Sequence, residues 1–164
     1  MSMPEDERAP RAAPEVRIAD LVLPNQTNNY GTMFGGEVLA LMDKAAGIAA
    51  LRFCRQPVVT ASTERIDFRT PIQTGEIIEA VARVIYVGRT SLIVRIHIYA
   101  EHPLIGDRRI CTTGYFSMVA IDAAGRPVPV PHLLLEDEQT RAEWAVGEEI
   151  RRVIDARRRQ AAGH

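Results

Sequence analysis

Residues 37–55 form a long apolar segment and read EVLALMDKAAGIAALRFCR. Their composition predicts a helix in which apolar side chains occupy nearly every face, with no broad polar stripe. A helix of this kind is buried on most of its sides. Its alanines and Gly47 leave room for a sheet to close around it, and Pro57 prevents the helix from simply continuing. We therefore predict a buried central helix.

Strand-like segments flank this helix in the chain. They are rich in β-branched residues, and glycine and proline lie between them. The connections between the segments that follow the helix are too short for the crossover that a parallel pair needs, so we predict antiparallel hairpins. The predicted strands cover residues 16–23, 58–68, 76–87, 91–101 and 110–121.

The chain of 164 residues fits one domain with short additions at each end. Residues 1–14 are rich in charge and proline and lack the apolar core of a signal peptide, so we predict a disordered lead-in. Residues 15–133 are predicted to form the folded domain. Residues 134–164 are predicted to be a helical extension, because apolar residues recur at helical spacing from about residue 136 to residue 160. One sheet wrapped on one helix is an α+β layout.

The bulk composition argues against several classes of function. The formal net charge is −1, so no basic excess points to nucleic acid or to an anionic membrane. No segment reaches the ~18 apolar residues of a membrane span. Cys54 and Cys111 lack the spacing of a zinc site, which favours two free, buried thiols in a reducing compartment and predicts a cytoplasmic location.

Several common catalytic motifs do not occur in the sequence. There is no GxSxG elbow, no P-loop and no dinucleotide-binding glycine pattern. The four histidines are scattered, and we expect His97, within a strand, to face solvent or a partner. We expect no metal site and no cofactor.

Asp43 stands out because it lies among apolar neighbours within the predicted central helix. Burial of an unpaired carboxylate is costly, and a carboxylate in poor solvent is a stronger base than one in water. A catalytic role and a structural one, in which Asp43 pairs with a cation or emerges at the helix surface, both remain open at this point. Lys44 is adjacent but points about 100° away around the helix, so it is not the natural partner.

Two glycine-containing segments could bind an anion. Gly35 and Gly36 lie at the helix start, where unpaired N–H groups attract negative charge and could stabilise an oxyanion. A tight loop-to-helix turn is the alternative, and spacing alone does not decide between them. Gly36 lies two turns, roughly 10 Å, before Asp43, so a site that used both would need help from the fold, for example at an interface between two copies. Residues 88–91 join two predicted strands and offer a glycine, a guanidinium and two hydroxyls, a set that suits phosphate but also an ordinary hairpin.

Taken together, these features resemble the hotdog-fold acyl-CoA thioesterases, specifically the YciA and brain-type acyl-CoA hydrolase group. The resemblance runs from about residue 21 to residue 133. Its matching segments, in order, are NNYGTMFGG (28–36), LMDKAAG (41–47), VVTAS (58–62), FRTP (68–71) with Gly75, VGRTS (87–91) and VAID (119–122).

The resemblance implies a role for each of these residues. Asp43 is similar to the family's catalytic carboxylate, which is a general base or a nucleophile, and Thr60 to the polar residue beside it. Asn28 is similar to an asparagine that orients the thioester or the water from the opposite subunit. Gly36, with Gly35, resembles the source of the oxyanion-facing N–H groups. The coenzyme A surface would include Gly88, Arg89, Thr90 and Ser91.

The resemblance also implies the partners of the chain. The substrate would be an acyl-CoA, so coenzyme A is part of the substrate rather than a cofactor. A homodimer would be the smallest active unit, and a hexamer built as a trimer of dimers is common in the family. Three alternatives remain: a hotdog dehydratase, a non-catalytic acyl-CoA sensor and a pure oligomeric scaffold. A dehydratase of this fold usually pairs a histidine with a carboxylate, and no histidine precedes His97 in this sequence.

Overall fold

The computed structural model describes residues 8–163 and contains one five-stranded sheet and two long helices. The strands are ordered β1-β3-β4-β5-β2, and every neighbouring pair is antiparallel. This is the predicted α+β layout of a sheet on a central helix with a second helix at the C-terminal end. The elements are β1 (Val16–Leu21), a 3-10 turn (Pro24–Gln26), α1 (Gly35–Cys54), β2 (Val58–Phe68), β3 (Ile77–Val87), β4 (Ser91–Glu101), β5 (Arg109–Ala120) and α2 (Glu138–Ala162).

Helix α1 packs one face against the sheet through side chains that recur at helical spacing. The small residues among them let the helix lie close to the strands. The buried residues of α1 are Val38, Met42, Ala45, Ala46, Ala49, Ala50, Phe53 and Cys54. The prediction that α1 is buried on most of its sides does not extend to the face formed by Ala40, Asp43 and Lys44, which are exposed in this single chain. The sheet covers only one side of α1, and the composition could not tell which side it leaves open.

The edge strand β2 carries two irregularities in its pairing with β5. Thr60 pairs with Met118 and Ser62 with Ser117, so Ala61 is an additional residue on β2. Strand residues normally alternate between faces. The bulge at Ala61 resets that alternation, and both Thr60 and Thr63 can therefore line the face that meets α1.

Helix α2 covers the opposite face of the sheet. Ile150 and Ile154 pack with Ile85 and Ile93 in a small second core. Ion pairs add to the contact at both ends of the helix, between Glu143 and Arg95 and between Arg157 and Glu64. The predicted C-terminal helix thus belongs to the packed structure, while its designation as an extension outside the domain stays a prediction.

The predicted lead-in over residues 1–14 is only partly within the described residues. Residues 1–7 lie outside them. Residues 8–14 contact the rest of the chain: the Arg8 Nε donates to the Val130 carbonyl at 3.2 Å, and Arg11 Nη1 donates to the Phe53 carbonyl at 3.1 Å. Arg11 also forms a β-bridge to Leu133. The sequence could not show this packing because it joins residues far apart in the chain. Within residues 8–163, no helix has both the length and the apolar character that a membrane span requires.

Candidate active site

The carboxylate of Asp43 is held by a hydrogen bond from the neighbouring strand. The Thr60 hydroxyl donates to Asp43 Oδ1 at 2.6 Å, and the same hydroxyl lies 3.4 Å from the Met118 sulfur. No ion pair involves Asp43 within residues 8–163. A carboxylate has acceptor capacity on both oxygens, so Asp43 Oδ2 is left available for a water or a substrate.

An open pocket of about 350 Å³ joins Asp43 to the N-terminus of α1. We call it the Asp43 pocket. The residues that line the Asp43 pocket are Gly36, Leu39, Ala40, Asp43, Thr60, Thr63 and Phe116. The bulge in β2 explains the presence of Thr63, which simple alternation from Thr60 would have placed on the other face of the sheet. Neither Thr63 nor Phe116 is predicted from the sequence, because neither carries a local signal that marks it as a site residue.

The N-terminus of α1 presents unpaired backbone donors close to this pocket. The first N–H groups of a helix have no acceptor inside the helix, and the N-cap residue, Phe34, provides no side-chain cap. Gly36 is exposed, and a Cβ there would contact nothing within 4 Å. Gly35 instead stands over the ring of Phe68, where a Cβ would lie 3.6 Å from the ring. The structure therefore brings Gly36 to the Asp43 pocket, while Gly35 faces a second cavity beside Phe68.

Asn28 is not among the residues that line the Asp43 pocket. Its side chain organises its own loop: Oδ1 accepts from the Tyr30 N–H at 2.9 Å and the Thr32 N–H at 3.2 Å, and Nδ2 donates to Thr32 Oγ1 at 2.7 Å. The loop is also fastened to the turn before β3, where Thr74 N–H donates to the Gly31 carbonyl at 2.9 Å. Asn28 is thus held within its own loop and does not line the Asp43 pocket of the same chain.

The hairpin loop 88–91 also lies outside the Asp43 pocket. Leu92 pairs with Met118, and Met118 pairs with Thr60, so the loop is two strands from Thr60, roughly 10 Å across the sheet. Arg89 is exposed. Ser91 is buried, and its hydroxyl accepts a hydrogen bond from Arg151 Nη1 at 3.0 Å. The predicted coenzyme A surface therefore offers the side chain of Arg89, whereas the Ser91 hydroxyl faces α2.

Three titratable side chains outside the Asp43 pocket were considered from the sequence and have shifted pKa values. Burial raises the pKa of both the Cys54 and the Cys111 thiol, which makes either one a poor nucleophile at neutral pH. Burial, with some help from Arg95, lowers the pKa of His97 to about 4, so this half-buried imidazole is neutral at physiological pH. Within residues 8–163, no three histidine, cysteine or acidic side chains cluster as metal ligands would.

Comparisons with known proteins show the family of this chain. Residues 30–106 match the model of the thioesterase superfamily. An uncharacterized acyl-CoA thioester hydrolase of Bacillus subtilis, YkhA, is 38% identical over 118 residues, which are 72% of this chain and 69% of the relative. The hexameric thioesterase y2039 from Yersinia pestis is 31% identical, with a TM-score of 0.66 over 70% of this chain and 93% of that one.

A second solved structure is an acyl-CoA hydrolase from Staphylococcus aureus in complex with butyryl coenzyme A, coenzyme A and coenzyme A disulfide. It is 32% identical, with a TM-score of 0.84 over 91% of each chain. Variants of that enzyme in which an aspartate, an asparagine or a threonine is replaced by alanine have also been solved. Because its sheet wraps on one central helix and its sequence matches these relatives, the chain belongs to the hotdog-fold acyl-CoA thioesterase family of the thioesterase superfamily.

Proposed function

We propose that the protein hydrolyses acyl-CoA to a free carboxylic acid and coenzyme A. The observation that carries this proposal is the Asp43 pocket, which is lined both by Asp43, with an acceptor oxygen available, and by Gly36 at the start of α1. Membership in the thioesterase family supports the same substrate class. The apolar wall formed by Leu39, Ala40 and Phe116 suits the carbon chain next to a thioester.

The proposed reaction needs a base, an oxyanion clamp and a water. Asp43 accepts a proton from water as the water oxygen bonds to the thioester carbon. The Gly36 N–H stabilises the negative charge on the former carbonyl oxygen. The C–S bond then breaks, and the proton held by Asp43 goes to the departing thiolate, a fair leaving group. Direct attack by Asp43, followed by hydrolysis of the resulting anhydride, uses the same residues.

The active unit that we propose is at least a homodimer. The Asp43 pocket is open on one side, and β2 is an edge strand with unpaired backbone groups and with Val59 and Phe68 exposed by 44% and 53%. A second copy that packs along this edge would close the pocket. The Asn28 of the same chain does not line the Asp43 pocket, and the second copy would bring its own Asn28 there. A trimer of such dimers is the larger assembly that we propose, as the Yersinia pestis relative is hexameric.

The coenzyme A portion of the substrate is proposed to lie along the hairpin loop 88–91. Arg89 is the exposed cation there, and a guanidinium can bind a phosphate through two hydrogen bonds. Gly88 and Thr90 contribute the backbone of the loop. No separate cofactor enters the proposed reaction. A cytoplasmic location, where acyl-CoA is abundant and buried thiols stay reduced, remains part of the proposal.

The experiment that tests the proposal is thiol release from a panel of acyl-CoAs of increasing chain length. We expect hydrolysis by the wild type and a loss of about 10²–10⁴-fold in kcat for Asp43→Asn, the range typical of a general base. The control is Glu149→Gln, which removes an exposed carboxylate on α2. Tight acyl-CoA binding without turnover would favour a sensor, and an Asp43→Asn variant as active as the wild type would refute the role of Asp43.

A further inference from the structure

We propose that Arg151, on the C-terminal helix, is a positioning residue for the hairpin loop 88–91 and thereby for the nucleotide end of coenzyme A. This inference rests on the proposed function, because it takes that loop as the coenzyme A surface. It also gives α2, which lies beyond the residues matched by the family model, a part in substrate binding.

The contact that carries the proposal joins α2 to the first residue of β4. Arg151 Nη1 donates to the Ser91 hydroxyl at 3.0 Å, and Ser91 is only 5% exposed. Arg151 is held in turn by Asp155, one turn further along α2, through an ion pair of 3.2 Å. The guanidinium is therefore fixed on both sides, and it fixes the side-chain rotamer of Ser91.

The Ser91 hydroxyl lies directly against the backbone of the loop. A Cβ added at Gly88 would lie 2.8 Å from the Ser91 hydroxyl oxygen, closer than real Cβ contacts come. The Gly88 N–H also donates to the Ser91 carbonyl at 2.8 Å. Only glycine fits at position 88 while the Ser91 side chain keeps this rotamer, so the shape of the loop and the contact with Arg151 depend on each other.

The backbone of the loop is fastened to the sheet on its other side. The Thr90 carbonyl accepts from the Ala120 N–H at 3.0 Å, and the Arg89 carbonyl accepts from the Val130 N–H at 2.9 Å. These bonds set the path of the chain on this side, and the loop is closed by its own backbone hydrogen bond. Arg151 adds a side-chain contact from the α2 side, so the exposed side chain of Arg89 emerges from a loop that is held from two directions.

Helix α2 does not depend on Arg151 for its own attachment. Ile150 and Ile154 are at most 1% exposed, and Arg157 donates to both oxygens of Glu64 at 3.3 and 2.6 Å. Removal of the Arg151 guanidinium should leave the helix in place and release only Ser91 and the partly exposed Asp155. The expected defect is thus local, and it concerns the part of the substrate that reaches the loop.

The test compares two thioesters with the same acyl group, acyl-CoA and acyl-pantetheine, which lacks the nucleotide and its phosphates. We expect Arg151→Met, which keeps much of the aliphatic stem, to raise KM for acyl-CoA about three- to tenfold, less than the full effect of a charge-assisted hydrogen bond because Arg151 acts on the substrate only through Ser91 and the loop. kcat should be unchanged, and so should kcat/KM for acyl-pantetheine. Arg152→Met is the matched control, because Arg152 pairs only with exposed Glu148 and Glu149 within the described residues.

A double-mutant cycle with Ser91→Ala makes the test specific. If Arg151 acts through Ser91, the double variant is no worse than the worse single variant. An unchanged KM for acyl-CoA in Arg151→Met, or an equal loss with both thioesters, would overturn the proposal. Calorimetric binding of coenzyme A and of pantetheine separates this inference from the proposed function. A wild type without turnover refutes the function, while selective weakening of coenzyme A binding in Arg151→Met still upholds the inference.

Discussion

Replacement of Thr60 by valine isolates the hydrogen bond that holds the Asp43 carboxylate. Valine keeps the β-branched shape of threonine but cannot donate to Asp43 Oδ1, which Thr60 reaches at 2.6 Å. A hydrogen bond to a charged group contributes about 1.5–3 kcal/mol. If the reaction needs the carboxylate in this orientation, kcat/KM should fall about 10- to 150-fold, at roughly 1.4 kcal/mol for each factor of ten.

The fold should be indifferent to this change. Thr60 and Asp43 are exposed in the single chain, so water can replace the lost donor in the folded protein, and valine is favoured in strands. The free energy of unfolding should therefore move by less than about 0.5 kcal/mol. The assay is thiol release, with kcat and KM determined separately. Thr60→Ser, which retains the hydroxyl, is the matched control and should keep most of the activity. A fully active Thr60→Val enzyme would refute the reasoning, and an equally impaired Thr60→Ser enzyme would attribute the loss to packing instead.

Three further predictions concern the fold and its pH dependence. Gly147→Ala should lower the free energy of unfolding by about 1–3 kcal/mol, because the new methyl group would overlap Tyr86 and this outweighs the helix preference of alanine. A variant that is more stable than the wild type in denaturant unfolding would contradict the packing of α2 on the sheet. Two hydrogen bonds from Arg109 hold the pKa of Glu76 in the folded protein below its usual value. Their contribution to stability is therefore fully present above the pKa that Glu76 has in the unfolded chain, and it is lost as pH falls through the lower pKa of the folded protein. Glu76→Gln should therefore destabilise the protein at pH 7 and progressively less toward pH 3, as measured by unfolding midpoints, and a difference independent of pH would refute this. The pKa of His97 is lowered to about 4, so between that pH and about 6.5 the unfolded chain binds more protons than the folded one. The wild type should therefore lose stability across this window as pH falls. His97→Gln should remove that part of the pH dependence, and an unchanged slope of unfolding free energy against pH would contradict the prediction.

The sequence was most informative about strands with clear punctuation. The predicted bounds of β2 and β4 coincide with Val58–Phe68 and Ser91–Glu101, because Pro57 and Gly88 mark where the neighbouring segments end. The ends of α1 and α2 differ from the predicted ones by one or two residues. Helix ends depend on capping, and Phe34, the N-cap of α1, carries none of the usual capping side chains.

The candidate site was predictable where a local signal existed. Asp43 was conspicuous among apolar residues, and the structure places it with Gly36 and Thr60 around one pocket. Emergence of Asp43 at the helix surface was one of the open alternatives, and Asp43 is exposed in the single chain; the sequence could not decide this, since a helix face left for a partner can be as apolar as one that faces the sheet. The inclusion of Thr63 depends on a bulge that local alternation hides.

The role of the Ser91 side chain was also beyond the sequence. The residue types at 88–91 suit phosphate but also an ordinary hairpin, and the resemblance to the thioesterase family implies contact between Ser91 and coenzyme A. The structure places its hydroxyl against Arg151, sixty residues further along the chain. Contacts of this range come from the packing of α2 on the sheet, which no local pattern encodes.

The central claim, that each active site combines Asp43 of one subunit with Asn28 of another, can be tested by complementation. Asp43→Asn and Asn28→Ala chains, each inactive or nearly so, are coexpressed with different tags, and mixed assemblies are purified through both tags. In a two-fold dimer of these chains one site carries both defects and the other carries neither, so we expect about half of the wild-type kcat per dimer with an unchanged KM. Mixed assemblies as inactive as their parents would place both residues in a site within one subunit and contradict the account.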